Sequence, residues 1–160
     1  MALHGPKRFL IAVFAGTAIL AYGLHFFILE PIPNVDVSAE PEYANVIGKR
    51  FRTQQDLIAI GVSVDRIHKM QVDKQVDYIT LVPLPGFSGP EVITKERLQQ
   101  GAVLEVVGVL KGGFRLISRI KYVVRSRDVA TAGSAPITVD VDEDTKHNFG
   151  LDRATYEPVE

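Results

Sequence analysis

From Phe9 to Leu29 the chain runs for 21 residues without a formal charge, FLIAVFAGTAILAYGLHFFIL. At about 1.5 Å per residue a helix of that length covers roughly 30 Å, the hydrocarbon thickness of a bilayer. Residues 9–29 therefore read as a transmembrane helix. Gly16, Thr17 and Gly23 do not count against it, because a backbone in lipid must satisfy its own hydrogen bonds and a helix does so. The competing reading is a cleaved signal peptide, which has a shorter apolar stretch of about 7–15 residues and a small-x-small cleavage site. Here the stretch ends in Phe26, Phe27, Ile28 and Leu29, followed by Glu30 and Pro31.

Lys7 and Arg8 precede the apolar stretch, whereas Glu30, Asp36, Glu40 and Glu42 follow it. By the positive-inside rule residues 1–8 stay in the cytoplasm and everything after Glu30 is exported. The expected location is a bacterial inner membrane with the main domain periplasmic or extracellular. The chain has no cysteine, which excludes disulfides, thiolate catalysis and a lipid-anchored cysteine.

Residues 30–43, EPIPNVDVSAEPEY, hold three prolines and four acids without amphipathic period. They read as an extended spacer between membrane and domain. Beyond them the apolar pattern shortens into runs rich in Val and Ile and bounded by Gly, Pro and Asp. Leu57–Val64, Val76–Val82, Val103–Leu110, Phe114–Val124 and Pro136–Val141 are expected strands, with a sixth over Ile47–Arg52. Thr94–Gln100 (TKERLQQ) reads as a short helix capped by Thr94 and ended by Gly101.

The fold expected is mainly β, a small β-barrel or β-sandwich over residues 44–142, SH3-like or OB-like. Within it the strand from Gly101 to Val109, the Lys111-Gly112-Gly113 turn and the strand that follows resemble the hairpin of bacterial SH3-like domains. Residues 143–160 are acidic and show little apolar periodicity, so a disordered tail is expected there.

Charge is segregated along the chain. Residues 44–127 hold 14 basic and 7 acidic side chains, hence +7, whereas residues 128–160 hold 2 and 8, hence −6. Along Phe114–Arg127 the two-residue period of a strand sets Leu116, Ile120, Tyr122 and Val124 on one face. Arg115, Arg119, Lys121 and Arg125 fall on the other, as a basic stripe.

The loop PLPGFSGPE, residues 83–91, contributes Phe87 and Ser88 as further contact candidates, because binding residues collect on loops. Ser88 is not a nucleophile elbow, since Pro90 stands where that motif requires glycine. Asp140, Asp142 and Asp144 open like a calcium loop, but Thr145 and Leu151 occupy its glycine and glutamate positions. The four histidines, His4, His25, His68 and His147, have no ligand spacing.

No catalytic residue, metal or cofactor is expected on these grounds. The function expected is a non-catalytic binding or scaffold protein of the cell envelope, anchored through residues 9–29. Its partner would be another envelope protein or an anionic envelope polymer. An inhibitor or immunity-type protein and a small envelope hydrolase are the alternatives. A nucleic-acid partner is disfavoured because the domain is exported and has no interleaved surface aromatics.

Overall fold

Pairing across the sheet turns the β-branched runs into strands in the computed structural model, which describes residues 17, 22, 31–64, 75–114, 117–129, 135–142 and 148–159. Nine strands appear among the described residues: β1 (Pro31–Asp36), β2 (Arg50–Thr53), β3 (Leu57–Val62), β4 (Tyr78–Pro83), β5 (Val92–Leu98), β6 (Val103–Phe114), β7 (Ile117–Arg125), β8 (Ile137–Val141) and β9 (Tyr156–Val159). They form one sheet in the order β5-β3-β4-β8-β7-β6-β2-β9, with β1 on β6. The chain is mainly β.

By contacts it divides into two units, residues 1–33 with 112–118, and residues 34–111 with 119–160. Of the apolar stretch 9–29 in the first unit, Thr17 and Tyr22 are described and helical, and the rest lies outside the described residues. Among the described residues no helix is long and apolar enough to cross a membrane.

In the second unit the strands' alternation is realised as burial. Ile120, Tyr122 and Val124 of β7 turn inward, as do Phe51 and Thr53 of β2. Side chains from β2 through β9 join one buried cluster, so the sheet curls around a single core. Each fully buried Leu, Val or Phe contributes roughly 1.5–3 kcal/mol against exposure.

The curl is fixed by two bent strands. β2 pairs with β6 (Arg50 opposite Glu105) and β3 pairs with β5 (Leu57 opposite Leu98) in one common register that holds as far as Gly61 opposite Thr94 and shifts at Val62. Between them the chains turn a corner, where Thr53 N–H donates to Ala102 O and Gly101 N–H to Thr53 O. Asp56 secures that corner by accepting from the Arg97 guanidinium and from Gln100 N–H. Those hydrogen bonds, the Arg97 one above all, hold the Asp56 carboxyl below the usual carboxylate range. β4 pairs with β3 in antiparallel fashion and with β8 in parallel.

Four expectations are corrected. Thr94–Gln100 is no helix: Val92–Leu98 is strand β5, with Thr94, Lys95, Glu96 and Arg97 all exposed because β5 is an edge. Such a charged edge discourages pairing with another chain.

Residues 30–43 are not a free spacer. Pro31–Asp36 is β1, Val37 N–H donates to Val109 O, and Val37 is buried at 7% exposure.

The described part of the acidic tail is ordered as well. β9 pairs with β2 along Arg50–Thr53, and Leu151 and Tyr156 are 3% and 5% exposed. Pro158 then blocks further pairing at that end of the sheet.

Gly112 and Gly113 lie within β6 instead of forming a turn.

Candidate functional site

The outward face of β7 does not remain an open basic stripe. Lys121 is half-buried, forms an ion pair with Asp140 at 3.5 Å and sits 5.2 Å from the centre of the Tyr78 ring. Register explains this, because Lys121 stands directly opposite Asp140 across β7 and β8. Arg119 is exposed and engaged in an interaction of its own. Arg115 lies outside the described residues.

Arg125, at the end of the same strand, has different company. It lines a recess of about 640 Å³ with Arg50, Arg127, Glu105, Asp128, Ser126, Val103 and Gly48. Local structure dictates this meeting. The β2 pattern RFRT alternates exposed and buried, so Phe51 and Thr53 enter the core while Arg50 points out. After β7 the chain bends through Ser126, whose Oγ accepts from Asp128 N–H at 3.2 Å, and Val129 is buried at 5% exposure. Arg127 is left exposed beside Arg125.

Among the described residues no carboxylate lies within 4 Å of the Arg50, Arg125 or Arg127 guanidinium. Two acids, Glu105 and Asp128, line the same recess. Arg50 and Arg127 escaped the sequence reading. The RFRT alternation and the Arg125-Ser126-Arg127 spacing were the signals that could have found them.

A second recess, of about 440 Å³, is lined by Arg97, Leu98, Gln99, Gln100, Gly101 and Ala102, and it shares Asp128 with the first.

The 83–91 loop has a structural task. Gly86, at φ +70°, lies so close to the outer face of β3 and β4 that a Cβ there would come 3.1 Å from Ile60 Cδ1 and 3.4 Å from Val82 Cγ2. The loop thus covers Ile60, which faces away from the main core. Lys95 Nζ donates to Ser88 Oγ at 2.7 Å and ties the loop to β5. Both residues are exposed, so Lys95 lacks the desolvated apolar site that a lysine needs to serve as a base. Leu84 and Phe87 remain 50% and 38% exposed.

Among the described residues no cluster of three or more His, Asp or Glu side chains could hold a metal ion. Asp140 instead pairs with Lys121. Comparison with protein-family models, curated proteins and solved structures finds no match.

Proposed function

We propose that this chain is a single-pass membrane protein whose extracytoplasmic domain is non-catalytic and holds an anionic group in the Arg50/Arg125/Arg127 recess. The single observation behind this reading is that three arginines line one recess, none of them ion-paired with a carboxylate within 4 Å among the described residues. Three arginines against two carboxylates, Glu105 and Asp128, leave the recess net positive, and an incoming carboxylate or phosphate offsets that excess. Arginine's planar fork also matches those groups in bidentate geometry.

The anchor at residues 9–29 rests on length, apolarity and the Lys7/Arg8 flank. The domain itself is proposed to be a small closed barrel. Its bent β2–β3 and β5–β6 lanes pair with each other, and β4, β8 and β7 complete the circuit. Five lanes with one parallel pairing favour the OB-like alternative.

The test is binding of a soluble polyanion, polygalacturonate, to the full chain in uncharged nanodiscs at low and physiological salt. Arg125→Ala with Arg127→Ala should weaken it at least about tenfold, and salt should weaken the wild type. Unchanged binding by the double variant would end this reading. Exposure of Leu84 and Phe87 on one loop favours a second reading, in which that loop docks an envelope protein.

A further inference from the structure

Strand pairing puts a fourth arginine beside the recess. β2 alternates exposed and buried, so Arg50 and Arg52 both project outward. They stand about 6.8 Å apart at the rise of an antiparallel strand. Residues directly opposite one another share a face of the sheet. The outward face of β6, β2 and β9 therefore carries two rows, one of Glu105, Arg50 and Val159 and one of Val103, Arg52 and Glu157. Val103 lines the recess, so Arg52 stands beside one of its walls.

Arg52 is open to a ligand. It is exposed, and among the described residues no carboxylate lies within 4 Å of its guanidinium. Glu157, its cross-strand neighbour, is engaged elsewhere, because Gln54 Nε2 donates to Glu157 Oε2 at 2.6 Å.

An anion held by Arg50, Arg125 and Arg127 thus has a further guanidinium two residues along β2. A ligand that uses both must carry negative groups at that spacing and lie along the strand. Glu105 and Glu157 flank the line on either side, so carboxylates displaced from it meet like charge. An extended polypeptide with acidic residues two apart meets these conditions, because its alternate side chains point the same way at the same spacing. Acids one or three residues apart point to opposite sides.

We propose that the outward face of β2 docks an extended acidic polypeptide segment, with one acidic side chain in the Arg50/Arg125/Arg127 recess and the acidic side chain two residues away on Arg52. The proposal rests on the anion-binding reading above and extends that site by one residue and to one class of partner.

The experiment titrates the full chain in uncharged nanodiscs with the acetylated and amidated peptides TETET, TEETT and TETTE, which share one composition, and with a galacturonate oligomer no longer than the recess. Affinities are read from arginine side-chain NMR shifts at low salt. TETET should bind at least about threefold tighter than the other two peptides, as one more exposed ion pair allows. Arg52→Gln should remove that preference by weakening TETET alone, and Arg52→Lys, which keeps the charge and loses the fork, should retain part of it. The galacturonate oligomer stays on Arg50, Arg125 and Arg127, so Arg52→Gln should leave its binding unchanged. Arg125→Ala should weaken all four ligands.

Equal binding of the three peptides, or a TETET preference that survives Arg52→Gln, would overturn the proposal. Binding of the oligomer without any peptide would overturn it too, leaving the recess reading intact and assigning the site to an anionic polymer. If neither the oligomer nor a peptide binds, the recess reading fails and this proposal falls with it.

Discussion

The hydroxyl of Tyr122 donates a hydrogen bond of 2.6 Å to the carbonyl oxygen of Phe149. A strand from the middle of the sheet thereby holds a residue of the acidic C-terminal stretch in place. Phe149 takes the left-handed conformation at φ +54° and meets Phe51 of β2 edge to face, with ring centroids 6.1 Å apart. Short polar side chains and glycine tolerate that conformation best, so the Tyr122 bond and the Phe51 contact must offset its strain.

Removing that hydroxyl should cost stability without altering the fold. Tyr122→Phe leaves a part-buried carbonyl without its partner, and the expected loss is about 1–2 kcal/mol. Urea titration at pH 7 should show a lower midpoint with an unchanged slope.

Truncation tests whether the C-terminal stretch belongs to the domain. A fragment of residues 31–142 lacks β9 together with Leu151 and Tyr156, so part of the core loses its cover. We expect residues 31–159 to melt cooperatively by circular dichroism and residues 31–142 to show a broad, weak transition. Equal melting curves would mean that β9 is dispensable.

Those two segments also show where the sequence was opaque. Strands β3, β4, β6, β7 and β8 were legible because runs of Val and Ile alternate or cluster over a strand's length. β1 and β9 were not, since the only buried apolar residues there are isolated ones, Val37 just after β1 and Tyr156 in β9, among prolines and acids. Their pairing with β6 and β2 is non-local and leaves no short-range period. β5 misled for a different reason: Lys95, Glu96, Arg97 and Leu98 favour helix intrinsically, and pairing with β3 overrides that preference. In β7 the expected inward residues Ile120, Tyr122 and Val124 are buried and Arg119 and Arg125 are exposed, whereas Lys121 is half-buried, and Arg115 and Leu116 lie outside the described residues. What a single strand could not reveal was that β8 brings Asp140 to Lys121, or that β2 brings Arg50 to the recess that holds Arg125.

Alkaline titration should expose the buried tyrosines. Burial raises the phenols of Tyr156, Tyr122 and Tyr78 above their ordinary value, with Asp140 adding to the effect on Tyr156 and Tyr78. Below about pH 10 these groups are protonated in folded and unfolded chains alike, so their contribution is fully present. Above it the unfolded chain releases protons first and stability falls as pH rises. Urea midpoints measured from pH 7 to 11 should be flat up to about pH 9.5 and then decline. Tyr122→Phe should start lower and decline less steeply.

The 83–91 loop should respond according to its structural task. Gly86→Ala places a Cβ 3.1 Å from Ile60 Cδ1 at a φ of +70°, and we expect a loss of about 1–2 kcal/mol. Ser88→Ala removes one exposed bond to Lys95 and should change stability by no more than about 0.5 kcal/mol. Thermal melts will separate the two. Neither substitution should alter polyanion binding, and a loss of binding in a folded Ser88→Ala variant would move the site to this loop.

The most direct test of the account is residue-resolved. Titrating an isotope-labelled full chain in uncharged nanodiscs with a short galacturonate oligomer, while recording amide and arginine side-chain NMR signals, reports where the anion sits. The account predicts salt-sensitive shifts confined to Arg50, Glu105 and the Arg125–Asp128 bend, with side-chain signals of Arg50, Arg125 and Arg127 moving together. Shifts concentrated at Leu84, Phe87 and Ser88 instead, or none at the three arginines at saturating oligomer, would contradict it.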